Sequence, residues 1–227
     1  MRKLTFILFF IVSIGVYGQQ SPQYSQYSFN NFGYNPAFAG TTKCLDFRLG
    51  TRMQWVGFEG APRTMFASAH KNFKGKHFKG KGFHAAGLYV EQDRVHLTSR
   101  TYVKLAYAYH MKLSGKYMIG MGVFAGIQQY SVDNVFGENN PDPVLDAASG
   151  SALRYPDIMP GVLVYSKKVY YSFSINQLYF KNINLGVEEK QVNQYIFGAG
   201  HKSNFNDWTV FKSFLLKWNV MGPPAID

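Results

Sequence analysis

After its first residues the chain has no apolar stretch approaching the roughly 20 residues that a membrane-crossing helix needs. Helical membrane proteins are therefore excluded. A single cysteine, Cys44, rules out an internal disulfide, and a thiolate metal site would need other ligands around it. Cys44 lies in an alternating segment, where a small buried side chain is the expected role. Charge is scarce: 16% of residues are charged, against about a quarter in a soluble domain. His70, His77, His84, His96, His110 and His201 are scattered, without His-x-x-x-His or Cys-paired spacing. No Gly-Lys-Ser phosphate loop, Gly-x-Ser-x-Gly elbow or His-Glu-x-x-His helix occurs. Gly120-Met-Gly-Val falls inside a strand pattern, so it is no nucleotide-binding turn. The expectation is a binding or transport component with no catalytic residues, no metal and no cofactor.

What the chain does have is aromatic and small residues: 16 Tyr, 20 Phe and 22 Gly. Few charges with many aromatics and glycines suit a β-barrel with aromatic girdles, and equally a secreted β-sandwich. The N-terminus reads as a secretory signal peptide. Arg2 and Lys3 precede a largely apolar run over residues 4–16, and Val16-Tyr17-Gly18 marks a cut before Gln19. The rival, an anchoring helix, is too short to span. The formal charge of +11 becomes +9 without Arg2 and Lys3. That excess points to anionic lipid or an acidic partner, and nucleic acid is not expected outside the cytoplasm.

Past residue 43, period-two alternation dominates. Val103, Leu105, Tyr107, Tyr109, Met111 and Leu113 form an apolar face against Lys104, Ala106, Ala108, His110 and Lys112. Tyr117, Ile119, Met121, Val123, Ala125 and Ile127 repeat the device. Opposite them stand Gly120, Gly122, Gly126 and Gln128, with Met118 and Phe124 as apolar exceptions. Ser114-Gly115 between the two reads as a tight turn. Further strands are predicted over residues 45–52, 63–70, 83–91, 158–165, 169–176, 194–201 and 209–218, about nine in all. The two longest exceed the length of ordinary soluble strands and suit tilted bilayer crossings. With the N-terminus in the periplasm, the short links at 114–115, 167–168 and 204–207 lie inside. The long links at 132–156 and 179–191 lie outside, as in barrels. The exception is the long inner link at 71–82. Single-chain barrels use even strand numbers, so nine implies a miscount or an incomplete wall.

Three blocks carry a specific likeness. Residues 23–30 (QYSQYSFN), 35–40 (NPAFAG) and 52–64 (RMQWVGFEGAPRT) resemble, in order and spacing, the PorP/SprF family of outer-membrane proteins of type IX secretion. Residues 107–110 (YAYH), 122–126 (GVFAG), Pro156-Asp157 leading to Gly161, and 213–217 (SFLLK) extend the match over nearly all of the mature chain. The resemblance implies an all-β fold, an antiparallel transmembrane β-barrel of outer-membrane type. It implies a protein of the cell outer membrane that helps export or anchor a large adhesin-type cargo. In gliding cells, family members are linked to export of the motility adhesin. Implied partners are a cargo with a type IX C-terminal sorting domain, a periplasmic peptidoglycan-binding protein and outer-membrane lipid. Family members usually continue beyond the stretch matching 213–227, so the expected barrel lacks its C-terminal strands. The expected organisation is a signal peptide at 1–18, an N-terminal periplasmic segment or plug at 19–43, and the barrel at 44–227.

Candidate partner-binding residues fall in three places. Asn35 and Pro36 open a turn ahead of the first strand, serving structure or seating a partner. Gln54, Trp55 and Phe58 sit in the first outward hairpin, where exposed aromatics would anchor cargo or belong to the interfacial belt. Lys74, Lys76, Lys79 and Lys81 belong to KNFKGKHFKGKG at 71–82, a grip for an acidic partner or phosphates, or a plain solvated turn. Asp133, Glu138, Asp142 and Asp146 lack EF-hand spacing and read as a mobile loop. The alternatives are a small outer-membrane pore, a soluble secreted β-protein and a truncated nonfunctional family member.

Overall fold

The computed structural model describes residues 27–73, 82–132, 152–178, 182–184, 188–190, 193–205, 208–219 and 224–226. Among these residues nine long strands follow three short helical turns. They are β1 (Asp46–Met53), β2 (Arg63–Phe73), β3 (Gly82–Val95), β4 (Thr98–Ser114), β5 (Tyr117–Val132), β6 (Leu153–Tyr165), β7 (Val169–Asn176), β10 (Gln194–Phe205) and β11 (Trp208–Asn219). A small hairpin, β8 (Asn182–Asn184) with β9 (Glu188–Lys190), occupies part of the link after β7, and β12 (Ala225–Ile226) adds two residues to the far edge. The sheet is antiparallel between neighbours, in the order β1-β2-β3-β4-β5-β6-β7-β10-β11-β12. The nine long strands are those that the alternation predicts, several extended by a few residues.

Alternation decides the two faces. Along β4, Val103, Leu105, Tyr107 and Met111 are exposed on one side while Lys104, Ala106, Ala108 and His110 are buried on the other. Adjacent strands continue both surfaces, so Met121, Val123 and Ile127 of β5 join the apolar outer face. Phe124, an apolar exception among the inner glycines, is fully buried against Phe32 with ring centroids 5.0 Å apart.

The sheet curls into a half-barrel around the N-terminal segment. Tyr27 donates to Ser213 Oγ of β11 at 2.8 Å, and Phe29 O accepts from Arg48 of β1. Those strands are eight steps apart, about 38 Å in a flat sheet at ~4.8 Å per step. Two residues of chain span only about 7 Å, so the wall must bend to bring β1 and β11 to the same segment.

Pro160 explains the short β6–β7 ladder. The β5–β6 pairing runs unbroken from Met118↔Tyr165 to Tyr130↔Leu153, whereas β6–β7 pairing stops at Gly161↔Ser174. Proline has no donor for a ladder bond, and within sheets it belongs at edges and irregularities. The strands rejoin only where Leu178 N donates to Ile158 O at 3.2 Å, just past Gln177 with φ of 60°.

Three local expectations change. Cys44 is exposed in a bend, because alternation begins only at Asp46. The outer link expected at 132–156 is shorter, since β6 starts at Leu153. The β3–β4 connection is a two-residue turn at His96-Leu97, with His96 at φ of 52°, so not every outer link is long.

Candidate functional site

The concave face is built to receive residues 27–41. Asn35 starts the turn Pro36–Phe38: its Oδ1 accepts from Ala37 N at 2.8 Å, while Pro36 sets the φ of the first turn residue. The same amide donates from Nδ2 to Val162 O and Phe173 O, each at 3.0 Å, at a paired position of β6 and β7. One buried side chain thus shapes the segment and fastens it beside the short ladder. The approach is close enough to require glycine on the wall. A Cβ on Gly122 would lie 2.6 Å from Ala37 N, and one on Gly161 would overlap the Asn35 amide. Phe32 completes the seat, with His70 4.6 Å away and Tyr89 edge-on at 6.3 Å between ring centroids.

Polar wall residues hold both ends of the segment. Asp46 takes Arg48 in a two-point pair (Nε–Oδ1 2.7 Å, Nη2–Oδ2 2.9 Å), and Arg48 also reaches Phe29 O. At the other end Gly40 N donates to His70 Nδ1 at 3.2 Å, which leaves His70 Nε2 facing Asp46 Oδ2 at 4.0 Å. Asn72 donates to Gly40 O and Thr42 O at 3.0 and 2.8 Å. His110 Nε2 lies 2.8 Å from Ala39 O, so that nitrogen carries the proton, and Nδ1 accepts from the Tyr165 hydroxyl at 3.1 Å. Deeper, Lys104 of β4 meets Asp157 of β6 at 2.7 Å, both side chains almost wholly buried. Lys217 of β11 stands 4.8 Å above the Tyr34 ring. Charges removed from water need such partners.

The β1–β2 loop at the opposite end from the inner turns has the reverse character. Gln54 N donates to Pro62 O at 3.1 Å, Phe58 N to Trp55 O at 3.1 Å, and His96 N to Gly60 O at 2.9 Å, so the backbone is tied down. Yet Trp55, Val56 and Phe58 are 71%, 79% and 77% exposed. Trp55 also takes φ of 47°, a conformation that costs an aromatic residue on the order of 1–2 kcal/mol. The loop presents apolar side chains on a fixed frame.

The family model described as Type IX secretion system membrane protein PorP/SprF matches residues 16–223. The chain belongs to the PorP/SprF family. No curated protein and no solved structure matches it. It is thus a type IX secretion membrane protein with an all-β, barrel-type wall, and among the described residues no helix is long and apolar enough to cross a membrane.

The short blocks of the PorP/SprF resemblance meet on the concave side. NPAFAG is the segment held there. YAYH supplies His110, and GVFAG supplies Gly122 and Phe124. Pro156-Asp157 supplies the partner of Lys104, and SFLLK supplies Ser213, Leu215 and Lys217. Of the candidate partner residues, Asn35 and Pro36 are buried within the molecule, Gln54 is half-buried, and Trp55 and Phe58 are exposed. Lys74, Lys76, Lys79 and Lys81 lie outside the described residues, as do Asp133, Glu138, Asp142 and Asp146. Among the described residues no three His, Cys, Asp or Glu side chains gather where a metal could be held. The sequence did not mark Arg48 or Asn72, and it named Lys104 and Asp157 only for strand alternation and for the family resemblance, not as a pair. The signal is clearest for Asp157, a lone charge at an inward position of β6 among Leu153, Tyr155, Met159, Gly161 and Leu163.

Proposed function

We propose that this PorP/SprF protein works in the outer membrane as an accessory of type IX secretion, holding a cargo protein against the export machinery without chemistry of its own. The cargo is a large adhesin-type protein with a type IX C-terminal sorting domain, and a periplasmic peptidoglycan-binding protein is the second partner. A signal peptide at 1–18 delivers the chain. The observation that carries this reading, beside the family, is the filling of the concave face. Residues 27–41 occupy the space a diffusion pore would leave to water, and Phe32, Ala37 and Phe124 pack there with almost no exposure. A filled lumen favours a holding role over conduction. Trp55 and Phe58 are the cargo anchors in this reading, since aromatics at interfaces carry much of the binding energy. Asn35 and Pro36 act at one remove, by keeping the segment seated as a plug.

The test is affinity purification of the tagged, full chain from native outer membranes in mild detergent, with bound proteins identified by mass spectrometry. Recovery of a sorting-domain protein or a peptidoglycan-binding protein is expected. A folded protein that emerges alone and conducts ions in planar bilayers would support the pore instead.

A further inference from the structure

At the end of the half-barrel that carries the inner turns, the concave face opens into a cavity of about 860 Å³. Five lysines reach it from four separate stretches of chain. Lys43 precedes β1, Lys116 lies in the β4–β5 turn, Lys167 and Lys168 form the β6–β7 turn, and Lys202 lies on β10. Lys202 N donates to Lys168 O at 2.7 Å, which fixes two of them side by side. No Asp or Glu lines the cavity among the described residues. Like charges gathered without counter-charge repel one another and focus a positive potential into the cleft, which an anionic occupant relieves.

The wall is not only basic. Phe38 meets Tyr170 edge-on at 5.3 Å between centroids, and Tyr170 stacks on Phe211 at 6.1 Å. This aromatic column ends the N-terminal segment's packing and leaves apolar surface between the lysines. A free phosphate would use the charges and waste that surface. Membrane lipid meets the other, convex face of the sheet, where the exposed apolar residues lie. A cavity of this size is in the range of ligand sites and admits several side chains.

We propose that this basic mouth binds an acidic polypeptide segment that also carries aromatic or aliphatic side chains. The proposal rests on the outer-membrane reading above, in which this end faces the periplasm, and it names the chemistry of the periplasmic partner.

The purified full-length protein in detergent is titrated with a fluorescein-labelled peptide of alternating Glu and Phe, followed by anisotropy. Saturable binding is expected, weakening as salt rises. Lys168→Glu with Lys202→Glu should weaken it at least about tenfold. Arg63→Glu with Arg154→Glu, an equal charge change at the opposite end, should leave it within about twofold. Circular dichroism checks that both variants fold. Independently of folding, carbodiimide coupling of the peptide to the unaltered protein should map to Lys43, Lys116, Lys167, Lys168 or Lys202. Crosslinks confined to other lysines, equal loss in both double variants, or full displacement by inorganic phosphate or phosphatidylglycerol vesicles would each overturn the proposal. Capture of cargo from native membranes by a protein that ignores the peptide would sink this inference and leave the accessory role standing.

Discussion

Lys104 and Asp157 show what a single pair does in this wall. Each is almost wholly buried, and they come from strands two apart, β4 and β6, so their 2.7 Å contact braces the curl across β5. Removing one partner strands a charge in a poorly solvated interior, at about 3–5 kcal/mol. Asp157→Asn and Lys104→Met are each expected to lower stability by that order. The double variant should lose less than the sum, because no charge is left unpaired. Urea unfolding in lipid vesicles, followed by tryptophan fluorescence, measures this, and additive losses would show that the pair is not coupled. At the same scale Asn35 satisfies three backbone groups, Ala37 N, Val162 O and Phe173 O, with one side chain. The sequence pointed to Asn35-Pro36 as a turn, and that holds. It could not reveal the bonds to Val162 and Phe173, which lie more than a hundred residues away. Cys44 was misjudged for a local reason: it lies in the bend before β1, where no ladder yet assigns a side chain to a face.

Among the elements, β4 and β5 were the most legible because their alternation runs unbroken over many residues. β6 was less so, as Pro156 and Pro160 argue against a central strand, and its first residues were read as loop. The β8–β9 hairpin left no readable alternation, because three-residue strands are too short to show a period. The faces of β4 and β5 yield two opposed predictions. Leu105 is 65% exposed on the convex face, so Leu105→Arg should destabilise the folded protein by about 2–4 kcal/mol in a bilayer. In that vesicle unfolding assay, a change under about 0.5 kcal/mol would contradict a lipid-facing position. On the other face, Gly122→Val should push the N-terminal segment off the wall, since even a Cβ would sit 2.6 Å from Ala37 N. With Cys44→Ser as background, Ala37→Cys should resist maleimide labelling when Gly122 is intact and react readily with Gly122→Val. Equal protection in both would mean that the segment does not need the glycine.

For the whole molecule, three features combine: an apolar convex face, a concave face occupied by the chain's own N-terminal segment, and a rigid loop that exposes Trp55 and Phe58. Composition and periodicity foretold the first. The second was written in the short motifs, whose residues are scattered along the sequence and gathered only by the curl. The third was visible as a cluster of aromatics, though nothing in the sequence told exposure from burial. Because the loop's aromatics touch little, Trp55→Ala with Phe58→Ala should change stability by less than about 0.5 kcal/mol. As interface anchors, they should each weaken partner capture by about 2 kcal/mol or more, roughly thirtyfold.

The role in secretion is tested most directly at the cell surface. Surface proteins are labelled and quantified by mass spectrometry in cells lacking the gene, and in cells restored with the parent chain or the Trp55→Ala, Phe58→Ala variant. The account predicts that a protein with a type IX sorting domain leaves the surface and accumulates inside the envelope, that the parent restores it, and that the variant does not. An unchanged surface in cells lacking the gene would contradict the account.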